Sequence, residues 1–404
     1  MGVVAPNGIG VGNFWNSLVS GTSGISRVSR FDVSSYSSQI AGEINDFDPL
    51  DYMNPKSARR MDRFSQFAVA ATRMATEDAA IEVNGGNSDR IGIALGSALG
   101  GFPTGEEQCS VFLEKGLKRV DPFLATRTFI GGATSQVSIE FGVGGHSNSI
   151  GGACTVGADS VGYAFHAIKN HFAEMMITGG SEAPLSPLTL GAFCLIGALS
   201  RRNEDPTKAS RPFDKERDGF VMSEGCGVLV LEDLEHALKR GASIYAEVLS
   251  YATTNDAYSI THPLPSGSQA KKAIQLALQY ADIKPADIDY INAHGSSTPL
   301  NDKIETMIFK EIFGENAYKI PVSSIKSMTG HALGAAGAIE LVASALTIQH
   351  QFVPPTINLE FPDPECDLDY VPNRGRKAAV RTVLSNSYGF GGKNSVIIIR
   401  KFDQ

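Results

Sequence analysis

The chain has 404 residues, enough for roughly two to four domains or for two halves fused around one core. A core of that size needs no disulfide or metal staples, and a formal charge of −8 speaks against a protein built to grip nucleic acid. The five cysteines are irregularly spaced, no apolar run approaches the ~18 residues of a membrane span, and no basic-then-apolar leader opens the chain. We therefore expect a reducing, cytoplasmic compartment, with no nucleic acid and no membrane. Glycine is abundant at 42 residues, while proline adds only 19, so the glycines read as sites of tight turns and close approach.

Taken in chain order, residues 90–96 read as a buried strand ending in glycine. Residues 147–153 read as a strand running into Gly151, Gly152 and Ala153, and 154–171 as the helix that follows. His166, Lys169 and His171 suit the C-terminal end of that helix. Residues 172–178 form another apolar run, stopped by Gly179 and Gly180, and 227–231 a further one. A short helix-like stretch, 233–238, leads into a junction near 239–243 that no polar linker marks. Residues 289–293 repeat the earlier layout, a short strand ending at His294 and Gly295, and 395–399 form the last strand. The alternation predicts an α/β architecture of two tightly packed halves, 1–240 and 241–404.

Cys154 stands where a strand passes through small residues into a helix. Helix N-termini favour thiolate over thiol, and small neighbours admit a substrate to the backbone. A nucleophile on a sharp turn has this layout; a buried structural cysteine is the alternative. His294 and His331 lie among hydroxyls and glycines, a setting for a polar pocket or for two satisfied loop histidines. Neither sits in an HxxxH or HExxH arrangement, which leaves a metal reading weak. Residues 385–394 place Gly389, Gly391 and Gly392 around Phe390, a loop able to offer N–H groups to an oxyanion with a movable aromatic wall. It lacks a P-loop ending. A papain-like thiol protease would need a Cys-Gly-Ser/Ala-Cys-Trp signature that Cys154 does not have.

At these residues the chain resembles the elongating, Cys-His-His class of type II β-ketoacyl-acyl carrier protein synthases over nearly its whole length. The motifs are Ala153-Cys154-Thr155, Asn292-Ala293-His294-Gly295 through Thr298-Pro299, Lys326 with Gly330-His331, and Gly389-Phe390-Gly391-Gly392. Ser210-Arg211-Pro212-Phe213-Asp214 with Arg217-Asp218-Gly219-Phe220 completes the set. The resemblance implies the thiolase fold, two similar α/β halves in five α-β-α-β-α layers, working as a dimer. It implies an acyltransferase that joins a Cys154-bound acyl group to malonyl-acyl carrier protein with loss of carbon dioxide, in fatty acid elongation.

In that frame His294 and His331 stabilise the decarboxylation, Lys326 sets their electrostatics, and the N–H groups of Cys154 and Phe390 form the oxyanion hole. Phe390 also acts as a gate. Ser296 and Thr298 bind the phosphopantetheine arm, Leu99 limits chain length, and Leu124 closes the pocket from the partner subunit. Asp302, Glu305 and Glu340 are supports. Asn292, Ala293, Glu340, Ser385 and Asn386 would hold a monovalent Na or K ion. No further cofactor is implied, since phosphopantetheine arrives on the carrier. Arg59, Arg60, Arg63, Arg201 and Arg202 are docking candidates for the acidic carrier, or ordinary solvated charge.

The chain departs from the family pattern at four places. The family's usual opening strand is missing ahead of Gly2, His262-Pro263 replaces a more usual Ser-Pro, and Gly197 stands where a basic docking residue is common. Glu182-Ala183-Pro184 resembles the ketosynthase subunits of type II polyketide systems. A polyketide ketosynthase, paired with a second ketosynthase-like chain, is thus the alternative enzyme. A non-catalytic chain-length subunit is disfavoured because Cys154 and both histidines are present.

Overall fold

The computed structural model describes residues 1–403. The first half builds a six-stranded sheet from β1 (Gly2–Ala5), β2 (Gly8–Ile9), β3 (Ile91–Ser97), β4 (Ser147–Gly151), β5 (Met175–Glu182) and β6 (Gly225–Glu232), in the order β2-β1-β6-β5-β3-β4. β3 pairs in parallel with β4 and β5, while β6 runs antiparallel to β5 and β1. Helices α1 (Arg63–Asp78), α2 (Phe102–Lys115), α3 (Leu124–Thr128) and α4 (Val156–Lys169) belong to this half. The second half builds a five-stranded sheet from β7 (Glu247–Asn255), β8 (Tyr290–Asn292), β9 (Val322–Ser323), β10 (Thr382–Gly389) and β11 (Lys393–Arg400), in the order β9-β8-β10-β11-β7. Its helices are α5 (Ser268–Tyr280), α6 (Pro299–Phe313) and α7 (Ala336–His350).

The layers follow from which faces are apolar. α1 covers the outside of the first sheet, and α5 covers the outside of the second. Between the sheets lie α4 and α7, which pack on each other and reach both sheets. α7 is buried on every side from Ala336 to Ile348, and only a helix with no solvent face tolerates such a sequence. The result is the five-layer α-β-α-β-α arrangement of the thiolase fold.

Several elements differ in extent from their sequence-based limits. The run expected at 172–178 is a strand only from Met175, and it continues through Gly179 and Gly180 to Glu182. The glycines are there for close approach rather than as a stop. A Cβ on Gly179, whose φ is +152°, would lie 1.9 Å from the carbonyl oxygen of Gly227 on β6. α4 begins at Val156, two residues later than expected. Gly2–Ala5, with no strand read ahead of them, themselves form β1 between β2 and β6.

The middle layer gives the two halves a shared core. Leu346 on α7 is 1% exposed within the shared core. Leu346→Ala should therefore cost about 2–5 kcal/mol in a single urea transition followed by circular dichroism. A loss below about 1 kcal/mol would show that this layer is not the common core.

Candidate active site

Cys154 sits in the turn between β4 and α4. Thr155 caps the helix with its backbone already near-helical, and its hydroxyl donates to Asp159 at 2.7 Å, which fixes the turn. Cys154 lines a cavity of about 740 Å³ together with His294, His331, Phe390, Ser296, Thr298 and Leu99. These seven residues, together with the predicted support Glu305, thus meet in one space. Phe390 lies in the turn between β10 and β11, where its ring stacks on Phe193 with centroids 6.2 Å apart.

His294 follows β8, and His331 follows a turn at Gly330. Both are buried, and their rings meet edge to face with centroids 5.3 Å apart. The His294 backbone N–H donates to Glu305 Oε1 at 2.8 Å, and the Gly295 N–H to Glu305 Oε2 at 2.8 Å. The His331 N–H is held by Val221 O at 2.7 Å. Behind the histidines Lys326 is fully buried, donating to the carbonyl of His294 at 2.7 Å and to Glu340 of α7. Its Nζ also faces His294 Nδ1 at 3.5 Å. An ammonium there leaves Nδ1 as the unprotonated nitrogen, so His294 carries its proton on Nε2.

Burial, then the Lys326 charge, hold both imidazoles well below their ordinary pKa, with His331 adding to the effect on His294. They are neutral hydrogen-bond donors at pH 7. The thiol departs from the sequence-based expectation of a stabilised thiolate. Burial pushes Cys154 up to about 11, opposed by the Lys326 charge and by the backbone N–H groups of Phe390 and Cys154. Because Cys154 is only half-buried, water in the cavity and the α4 N-terminus temper that push. At pH 7 the Cys154 side chain is therefore a thiol, which could act as a nucleophile only by handing its proton on.

The remaining candidates lie outside the cavity lining. Leu124 is on α3, away from this chain's cavity. Asp302 accepts the Phe213 N–H at 2.9 Å and lies 3.7 Å from Arg217, so it supports the neighbouring Arg-Pro-Phe-Asp segment rather than the histidines. Asn292 pairs with Ser385 across β8 and β10, Ala293 follows it, and Asn386 donates to Glu305 at 3.3 Å. Arg63 is no free docking charge, because Glu224 and the Ile44 carbonyl occupy its guanidinium. Sequence reading missed Phe193, Phe220 (edge-on to His331 at 5.3 Å) and Tyr388 (5.6 Å from His294). An apolar or aromatic residue carries no signal that separates a cavity wall from a core.

Comparison with known proteins gives one answer. Residues 1–237 match the family model of the beta-ketoacyl synthase N-terminal domain, and 245–360 that of its C-terminal domain. The chain is 47% identical over 402 residues to the 3-oxoacyl-[acyl-carrier-protein] synthase 2 of Synechocystis, covering 100% of this chain and 97% of that one. It is 46% identical to the Coxiella burnetii synthase of the same name, covering 100% and 98%. Among solved structures, it resembles a type II polyketide ketosynthase in complex with its acyl-carrier protein (39% identity, TM-score 0.90, covering 99% and 98%). The ishigamide ketosynthase/chain length factor is also similar (35%, TM-score 0.93, 100% and 98%).

The neutral histidines give the site a pH signature. Their pKa is depressed on folding, so the unfolded chain takes up protons first and stability is lost as pH falls below about 6.5. Glu182, Glu305 and Glu340, which burial raises to about 7, act in the opposite sense: their stabilising contribution declines as pH rises from about 4.5 to 7. A His294→Asn/His331→Asn variant keeps those carboxyls, so urea midpoints at pH 7 and 5 should show a shallower acid loss than wild type. Equal losses would show that the histidines are not held neutral.

Proposed function

The chain belongs to the β-ketoacyl synthase family of condensing enzymes, and we propose that it elongates acyl chains on acyl carrier protein in fatty acid synthesis. The carrying observation is the convergence of Cys154, His294 and His331 on one cavity, with a buried cation behind the histidines. The higher identity to the two 3-oxoacyl synthases than to the type II polyketide ketosynthase and the ishigamide ketosynthase/chain length factor supports the fatty acid assignment. A polyketide role is the second reading, favoured by His262 in the cavity wall and by the lack of a side chain at Gly197.

In the proposed reaction Cys154 sulfur attacks the acyl thioester of the carrier. Its proton passes through a histidine to the departing pantetheine thiol. Malonyl carrier then enters and its carboxylate leaves as carbon dioxide. The bonding pair becomes an enolate, whose oxygen takes hydrogen bonds from the imidazole N–H groups of His294 and His331. The enolate carbon attacks the Cys154 thioester. The tetrahedral oxyanion faces the N–H groups of Cys154 and Phe390, and its collapse releases 3-ketoacyl carrier and the Cys154 thiolate, which takes up a proton from solvent to restore the thiol. Neutral imidazoles suit this role, because a charged pair would be costly beside Lys326.

Ser296 and Thr298, joined by a 2.9 Å hydrogen bond, stand ready for the pantetheine arm, Phe390 gates the cavity, and Leu99 limits its acyl end. The carrier brings phosphopantetheine, and the chemistry calls for no other cofactor. For a monovalent cation the fit is favourable: Asn292 Oδ1, Asn386 Oδ1 and Glu340 Oε2 are buried oxygens without partners. With Ala293 and Ser385 they would hold Na or K, which would supply a fixed positive charge.

The working unit is a homodimer, with Leu124 reaching the neighbouring pocket. The open edge of β4 and the exposed apolar side chains of Phe112, Leu113 and Phe129 support that reading. The halves divide near residue 240, and the compartment is the cytoplasm. No helix among the described residues is long and apolar enough to cross a membrane.

Two substitutions test the assignment with acyl and malonyl carrier protein as substrates. Cys154→Gln should lower condensation at least about 10³-fold while malonyl decarboxylation persists, since the histidines carry that step. Condensation at wild-type rate would sink the mechanism. Leu99→Phe should shorten the acyl chains accepted, and an unchanged product profile would refute the pocket assignment.

A further inference from the structure

Glu182 ends β5 with its carboxylate wholly buried, and no basic side chain among the described residues pairs with it. It accepts four hydrogen bonds instead. Oε1 takes the Ser97 hydroxyl and the Leu99 N–H, both at 3.0 Å. Oε2 takes the N–H of Ala98 at 2.6 Å and that of Gly334 at 3.1 Å. Ser97 passes the constraint on, because its Oγ accepts the Gly100 N–H at 2.8 Å.

These donors come from two places. Ala98 and Leu99 belong to the turn after β3 and line the cavity. Gly334 belongs to the other half of the chain, three residues beyond His331 and next to Leu333, whose φ of +43° is unusual for a side-chain-bearing residue. The approach is close: a Cβ on Gly334 would lie 2.4 Å from Glu182 Oε2 and 2.6 Å from the Ala98 nitrogen. An unpaired buried carboxyl is expensive, and a crosslink within one turn would not require one. An acceptor able to hold three backbone N–H groups from two segments does require it.

We infer that Glu182 is a positioning residue that ties the acyl-pocket wall at Leu99 to the segment carrying His331, so that chain-length acceptance and decarboxylation geometry are set together. The inference rests on the reading of Leu99 as the acyl limit.

The test measures two quantities on purified enzyme. One is the ratio of kcat/KM for a long against a short acyl carrier. The other is malonyl decarboxylation in the Cys154→Gln background. Glu182→Gln turns an amide NH2 toward the backbone donors. It should change the ratio at least about fivefold and lower decarboxylation at least about tenfold. Ser97→Ala loosens only the pocket side, so the ratio should move while decarboxylation stays within about twofold. If Glu182→Gln does not fold, Gly334→Ala presses on the same carboxylate from the other half and should move both. A uniform fall in activity with the ratio unchanged overturns the inference and leaves a structural crosslink. Leu99→Phe run in parallel separates the failures. If it shortens the accepted chains while the Glu182 and Gly334 variants leave the ratio alone, only the inference fails. If it too changes nothing, the pocket reading fails and takes the inference with it.

Discussion

A buried ammonium group organises this site. Lys326 is 2% exposed, and so deep a charge persists only with well-placed acceptors. It has Glu340 on one side and the His294 carbonyl on the other. Glu340 is the only ionised side chain of α7 between Ala336 and Ile348, the stretch buried on every side. The ion pair therefore fastens the histidine segment to the layer that both halves share. Removing either partner would leave an uncompensated charge, typically a loss of about 3–5 kcal/mol. One ammonium then acts in three ways. It leaves the His294 proton on Nε2, adds to burial in keeping both imidazoles neutral, and draws the Cys154 thiol down against the push of burial. The fold's central layer and the site's proton states have the same origin.

The carboxylates around this charge divide by what they hold. Glu305 takes two consecutive N–H groups and sets the direction of the chain leaving β8. Asp302, one turn earlier on α6, works instead with Arg217 and the Phe213 N–H. Arg217 in turn donates to the carbonyls of Thr298 and Pro299, at 3.1 and 3.0 Å. The Arg-Pro-Phe-Asp and Arg-Asp-Gly motifs, read in the sequence only as markers of resemblance, thus brace the turn that presents Ser296 and Thr298. Arg211 serves that brace from below through its 2.9 Å bond to Asp214.

Legibility in the sequence tracked how local each signal was. Cys154 could be read from its neighbours alone, because a strand, small residues and a helix start occur within a few positions. The histidines could be flagged by their small polar surroundings. Lys326 and Glu340 could not be paired that way: they lie fourteen residues apart on different elements, and only the resemblance singled out each of them. Short buried strands were visible as apolar runs, yet the end of β5 was misplaced because a glycine pair signals both a stop and a close approach. Phe193 gave no signal, since an aromatic residue in a cavity wall has the composition of a core, and Phe220 and Tyr388 entered only as members of motifs, with no role attached. Glu182 was visible only as a marker of resemblance, and its four donors come from segments up to 152 residues away.

The overall charge of −8 poses a problem for a partner that is itself acidic, and the structure narrows it. Salt screening limits each surface charge to about 8–10 Å, so docking depends on local charge and not on the sum. Of the five arginines considered, Arg63 is spent on Glu224 and stacks over the Phe67 ring at 4.6 Å. Arg202 is paired with Glu216 at 2.8 Å. Arg59 and Arg60 lie in the last turn of the helix Pro55–Arg60, where cations are favoured, with Arg60 over the Phe123 ring. Arg59, Arg60 and Arg201 have no acidic partner among the described residues, which leaves their charge available to a carrier. The acidic surplus then matters less than its distribution: of these five arginines, Arg63 and Arg202 are held by carboxylates, and Arg59, Arg60 and Arg201 are not.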